Sequence, residues 1–320
     1  MRTIVGVLRG GTSSEYNLSL KTGAAIMSAL PDDQYETRDL LVDKTGIWHF
    51  RGRPVDASRA LSQVDIVLNA LHGGVGEDGS VQRILDRAGV RYAGSRALPA
   101  GLSLNKIRAR EAFTKAGIRM PRAMSFSVHN SLHTKEMADA VFAVFGPPYM
   151  VKAPSEGSSN GIRYVATVIR LPEALADVLD LSGAALVEEF MLGQHATVGV
   201  IEKFRNEDLY ALPAAHHVLG RERLFDSAMH ETGTTEHQVP SKFAHADKKK
   251  LSDIARLAHK TLGLSHFSDS DFVLTKRGPY LLETNTTPHL YETAAFPKML
   301  ESVGSSTREF LEHAIKLARH

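Results

Sequence analysis

The chain opens with an apolar run at Ile4–Leu8 that ends in Gly10 to Glu15, a stretch of glycine, serine, threonine and one acid. Apolar residues at helical spacing follow over 18–30. Short apolar runs bounded by turn formers mark strands, and recurrence every three or four residues marks helices. On that rule 35–41 and 64–70 are strands, and 80–88 is a helix that Gly89 terminates. Strand and helix alternation predicts a parallel, Rossmann-like unit over residues 1–99. Pro99-Ala100-Gly101 reads as a linker into a helix over 103–116. A central unit over 100–184 then alternates strands at 123–126, 149–153 and 163–168 with helices over 134–145 and 173–181, the last stopped by Gly183. The final unit, 185–320, starts with a strand at 185–190, holds several more, and carries amphipathic helices over 248–264 and 306–318. The fold class expected is α/β, in part α+β.

Within the final unit the apolar runs Phe272–Leu274 and Tyr280–Leu282 flank Lys276-Arg277-Gly278-Pro279, the pattern of a β-hairpin. A turn centred near Arg277 pairs Asp271 with Glu283 and puts both side chains on one face. Residues two apart on a strand share a face, so Asn285 joins them. Two carboxylates and an amide oxygen are hard ligands that suit Mg²⁺ far better than Zn²⁺. Acids also mark the solvated ends of ordinary hairpins, so the register decides between the two readings.

Composition narrows the field without naming a function. The 320 residues are 43% hydrophobic and 23% charged, ordinary for a globular protein of two or three domains. Lys and Arg number 38 against 36 Asp and Glu, a net charge of +2, which gives no field favouring nucleic acid or a membrane surface. There is no cysteine, which excludes a thiolate metal site and fits a reducing compartment. The first apolar run is too short for the core of a signal peptide, and none approaches the roughly 20 residues of a membrane span. A cytoplasmic location is expected.

Three further stretches carry candidate chemistry. Gly74-Val75-Gly76-Glu77-Asp78-Gly79 fits the spacing of a dinucleotide-binding turn, but the ribose-binding acid expected about 20 residues on is missing. Tyr149-Met150-Val151-Lys152 is followed by the small-residue stretch 153–161. Such a loop can lay N–H groups on phosphate oxygens beside the lysine charge, although a polar hairpin reads the same way. Val187-Glu188-Glu189-Phe190-Met191 ends a strand at the boundary between the second and third units.

Together these motifs resemble the D-alanine–D-alanine ligases, a family with the ATP-grasp fold. His72-Gly73 through Gly79 is similar to that family's His-Gly…Gly-Glu-Asp-Gly signature, Gly10–Glu15 to its first substrate loop, and the stretch after Lys152 to its triphosphate-covering loop. The resemblance runs from Gly10 to about Pro297. It implies an N-terminal Rossmann-like substrate domain, a central small domain and a C-terminal ligase domain, with ATP gripped between the latter two. It implies Lys106 and Lys152 as phosphate lysines and Glu188, Glu189 and Met191 around the adenine. Asp271, Glu283 and Asn285 would hold Mg²⁺, with Mn²⁺ as the alternative. Glu15 would hold the ammonium of the first substrate, Ser158 would hydrogen-bond to it, and His72 would line its subsite. The partners implied are small-molecule amino acids, with a homodimer as the candidate assembly.

The acceptor side departs from the family pattern. Asp269 stands where the family has an arginine, Met229 and His230 where it has a lysine and a tyrosine, His289 for a glycine, Ala294 for a serine, and His195 for a ribose-binding glutamate. Three readings follow. One is a D-alanine–D-alanine ligase making a peptidoglycan precursor through an acyl phosphate. The second is a ligase with another amine or amino-acid acceptor, and the third a nucleotide-binding protein with degraded catalysis.

Overall fold

A computed structural model of the chain describes residues 2–129, 132–155, 161–218 and 236–319. Its strands form three sheets. The first contains β1 (Thr3–Gly10), β2 (Tyr35–Val42), β3 (Trp48–Phe50), β4 (Arg53–Pro54), β5 (Ile66–Asn69) and β6 (Arg91–Ala93), in the order β4-β3-β2-β1-β5-β6. Strands β2, β1, β5 and β6 run parallel. Helices α1 (Tyr16–Ala29), α2 (Ala57–Leu61) and α3 (Ser80–Arg87) connect them. Val5, Val7 and Leu8 are all buried although they point to both faces. A parallel sheet covered on both sides demands such a continuous apolar run.

The stretch expected as a linker at Pro99–Gly101 is helix. It lies inside α4 (Ala97–Leu104), and α5 (Lys106–Lys115) follows at once. Pro99 falls in the first turn of α4, where its missing N–H has no intrahelical acceptor to lose. The break comes at Asn105, whose extended backbone and side chain, accepting from Arg108 N at 3.1 Å, cap α5.

The second sheet contains β7 (Ala123–Ser127), β8 (Tyr149–Lys152), β9 (Ile162–Val165) and β10 (Ala184–Glu189), in the antiparallel order β7-β10-β8-β9. Helices α6 (Thr134–Val144) and α7 (Leu171–Ser182) pack on it around Tyr149, Val151, Leu175 and Val178. The third sheet contains β11 (Gln194–Glu202), β12 (Leu209–Ala211), β13 (Ala215–Val218), β14 (Glu236–Gln238), β15 (Phe267–Thr275) and β16 (Gly278–Asn285). Its order is β14-β13-β11-β15-β16, with β12 also on β11. One face, with Val198, Val200, Phe272 and Leu281, packs on Leu251, Ala255 and Ala258 of α8 (His245–Thr261). Beyond it come α9 (Ala295–Glu301) and α10 (Thr307–Leu317). Phe310, Leu311 and Ile315 of α10 share a core with Val5, Val7 and Ile66, so the C-terminal helix covers the first sheet. Among the described residues no helix is long and apolar enough to cross a membrane.

The hairpin of β15 and β16 has the expected pairing, reached by an unexpected route. Its turn is the two residues Lys276-Arg277, with Thr275 opposite Gly278 and Phe272 opposite Leu281. Beyond Phe272 the register shifts, and Asp271 then faces Glu283 and Asp269 faces Asn285. Strict alternation from Leu281, which is in the core, would send Glu283 into the core as well. The extra residue, Leu282, packs partly against Met191, Val273 and Tyr280, and it returns Glu283 to the polar face.

Candidate functional site

The polar face of the third sheet brings together all three residues expected at the metal site. Asn285 Nδ2 donates to Asp271 Oδ2 at 3.2 Å, and the hydroxyl of Thr197 on β11 donates to Asp271 Oδ1. Lys106, the first residue of α5, reaches across to Glu283, with Nζ 3.0 Å from Oε2. Burial, and then the charge of Glu283, pushes the Asp271 carboxyl up to about 6. Asp269 stands next on the same face, its carboxyl raised well above the usual range by burial and by Asp271 and Glu77. Its Oδ1 is buried without a hydrogen-bond partner. Crowded carboxylates whose ionisation is opposed form a site that a hard cation would relieve. Among the described residues no three His, Asp or Glu side chains form a ready metal cage.

Lys152, at the end of β8, lies with Nζ 2.6 Å from Glu188 Oε2, and Arg110 pairs with Oε1 of the same carboxylate. Glu188 is 3% exposed. Burial opposes its ionisation, but Lys152 and Arg110 outweigh burial and hold the carboxyl below its ordinary range. Glu189 points elsewhere, to Arg122 Nε at 2.8 Å, and Met191 packs on Val273 and Tyr280. The backbone N–H of Lys106 donates to Pro154 O at 2.8 Å, which ties α5 to the start of the small-residue loop. Ser158 of that loop lies outside the described residues, as do Met229 and His230.

Glu15 and His72 meet on the N-terminal side. A Cβ on Gly73 would lie 2.6 Å from Glu15 Oε2, so the carboxylate rests against the backbone next to His72. His72 Nε2 is 2.8 Å from Thr22 Oγ1, and its ring meets His289 edge-on at 4.1 Å between centroids. Burial, and then His289, holds the His72 imidazole well below its usual pKa, which keeps it neutral. His289 in turn lies 5.5 Å from Tyr291, whose phenol is pushed up to about 12 by burial and then by Glu15.

Glu77, in the glycine-rich turn, joins the two halves. Its Oε2 accepts from Gly73 N at 2.9 Å. Its Oε1 accepts from Thr286 N, Thr286 Oγ1 and Thr287 N at 3.2, 3.0 and 3.1 Å. The turn considered for a dinucleotide is thus closed over the loop that leaves the hairpin.

Sequence reasoning missed Arg110, Thr197, Glu77 and the threonines it holds. Arg110 was within reach, because it lies four residues after Lys106 and on the same helix face. Thr197 gives no local signal, since Asp271 lies 74 residues away, and Glu77, although inside the glycine-rich signature, reaches Thr286 at a distance of 209 residues, which the signature does not reveal.

The architecture is the ATP-grasp fold. It matches the solved D-alanine–D-alanine ligase of Bacillus anthracis complexed with ATP at a TM-score of 0.80, with 23% identity over 99% of this chain and 97% of that one. It matches D-alanyl-alanine synthetase A of Vibrio cholerae at 0.86, with 22% identity over 100% and 99%. Two family profiles match the sequence, "D-ala D-ala ligase N-terminus" over residues 49–95 and "D-ala D-ala ligase C-terminus" over 112–316. A D-alanine–D-alanine ligase of Carboxydothermus hydrogenoformans is 31% identical over 98% of this chain and 97% of its own. The chain belongs to the D-alanine–D-alanine ligase family, a family of ATP-dependent ligases.

Proposed function

We propose that this protein is a cytoplasmic, ATP- and Mg²⁺-dependent carboxylate–amine ligase that joins D-alanine to a second amino acid for peptidoglycan precursor synthesis. The observation that carries the proposal is the convergence of Asp271, Glu283 and Asn285 with Lys106 on one sheet face. In this reading Lys106 and Lys152 exchange their carboxylate partners for phosphate oxygens. Asp271, Glu283 and Asn285 hold the metal ion, for which Mn²⁺ can substitute. Glu188, Glu189 and Met191 border the nucleotide. When bound, the ion neutralises charge that spreads over the transferred phosphoryl group. Glu15 receives the ammonium of the first amino acid beside neutral His72, and Ser158 hydrogen-bonds to it.

The chemistry needs activation because carboxylate oxygen is a poor leaving group. The carboxylate of the first amino acid attacks the γ-phosphorus of ATP, and ADP leaves. The amine of the second attacks the acyl carbon, loses a proton, and expels inorganic phosphate as the amide forms. Phosphate release from ATP and Mg²⁺ over a panel of D- and L-amino acids, with mass spectrometry of the products, tests this. Expected is release that depends on D-alanine, with a dipeptide product. Release that is indifferent to any amino acid would refute it.

One observation favours a variant of this reading in the acceptor. Asp269, its Oδ1 buried and unpartnered, stands where the family has an arginine, so the cation that would pair with an acceptor carboxylate is missing at that position. A basic or carboxylate-free amine should outcompete D-alanine as second substrate, and Asp269→Arg should narrow the gap. A wild type that makes D-alanyl-D-alanine at an ordinary rate of roughly 1–10³ s⁻¹ would exclude the variant.

A further inference from the structure

Thr197 lies on β11 directly opposite Asp271, and its side chain is buried. A hydroxyl has one proton to give. Thr197 gives it to Asp271 Oδ1. His217 Nε2 stands 2.7 Å from the same hydroxyl oxygen and must therefore be the donor to it. His217 is on β13, paired with His237 of β14, and their rings meet edge-to-face at 4.8 Å and 87°. A chain of contacts thus runs from His237 through His217 and Thr197 to the carboxylate.

We infer that Thr197 and His217 are positioning residues for Asp271. They occupy one lone pair of Oδ1 and orient the carboxylate so that its remaining lone pairs face a divalent cation. This rests on the reading that Asp271 is a metal ligand. The need is visible in the site, because Asp269, Asp271 and Glu283 crowd one face and a free carboxylate would turn away from its neighbours. Asn285 orders Asp271 on one oxygen and the Thr197–His217 pair orders it on the other. Partners of this kind, one bond removed from the ion, commonly change metal affinity by about 10–100-fold when lost.

The test measures the dissociation constant of a non-hydrolysable ATP analogue with and without Mn²⁺, by calorimetry on the full chain. The quantity read is the factor by which Mn²⁺ tightens binding. Thr197→Val and His217→Phe should lower that factor about 10–100-fold and leave the metal-free constant unchanged. Thr197→Ser keeps the hydroxyl and should keep the factor. His217→Gln retains a side-chain N–H and should keep more of it than His217→Phe. Asp271→Asn separates the two levels of the argument. If it leaves the factor intact, the metal-site reading itself fails. If it lowers the factor while Thr197→Val and His217→Phe match the wild type, the positioning role is wrong and the site reading stands. Equal weakening with and without Mn²⁺ would mark Thr197 and His217 as packing residues and also overturn the inference.

Discussion

Glu188 shows how far single residues could be read. A place beside the nucleotide was implied for it by the family resemblance, and Lys152 was picked out by the strand before the small-residue loop. That Glu188 would spend both carboxylate oxygens on Lys152 and Arg110 was not visible, because it depends on how α5 lies across the second sheet. Removing one partner of a buried ion pair typically costs about 3–5 kcal/mol, since a charge is left uncompensated. Glu188→Gln should therefore lower the melting temperature at neutral pH. The folded-state pKa of Glu188 lies below its unfolded value of about 4.5. Its ionic stabilisation is thus complete above that value and is lost as pH falls through the folded one. Melting curves of the wild type and Glu188→Gln should differ by a constant amount from pH 8 to about 5 and converge below. A difference that does not change down to pH 3 would mean that the pair contributes no ionic stabilisation.

Among the elements, the hairpin was legible in its pairing and illegible in its geometry. Apolar runs and turn formers located both strands, and the match of Asp271 with Glu283 followed from a turn placed half a residue too late. The bulge at Leu282 corrects for that half residue. A sequence cannot announce a bulge made by leucine, whose apolar side chain suits either face. Helix α4 was misread for the opposite reason. Proline and glycine punctuate most patterns, but the first turn of a helix tolerates the former. Gly278 closes the hairpin turn at φ 103°, a conformation that side chains resist, with nothing within 4 Å of where a Cβ would sit. Gly278→Ala should thus cost about 1 kcal/mol or more through backbone strain alone, read as a lower urea midpoint with unchanged slope. An unchanged midpoint would mean that the turn relaxes at no cost.

For the whole molecule, the Rossmann-like alternation of the first sheet and the α/β character were plain in the hydrophobic pattern. The tie between the molecule's two ends was not, since Glu77 and Thr286 are 209 positions apart. Glu77→Ala strips four donors of their acceptor in a buried setting, at a cost of several kcal/mol in all. Faster amide exchange at Thr286 and Thr287, with the core of the second sheet unaffected, is the expected signature. Uniform acceleration across all three sheets would instead mean that Glu77 supports global stability only. In the proposed reading the tie matters because it holds the loops of Glu15 and His72 against the hairpin that carries Asp271, Glu283 and Asn285, and phosphoryl transfer to a carboxylate needs both in place. The most direct measurement supplies D-alanine labelled with ¹⁸O in its carboxylate, together with unlabelled ATP, Mg²⁺ and an amine acceptor, and weighs the inorganic phosphate released. Carboxylate activation predicts one ¹⁸O in each phosphate formed along with the amide. Phosphate without label would mean that water, and not the amino acid, attacks ATP, and would contradict the ligase assignment.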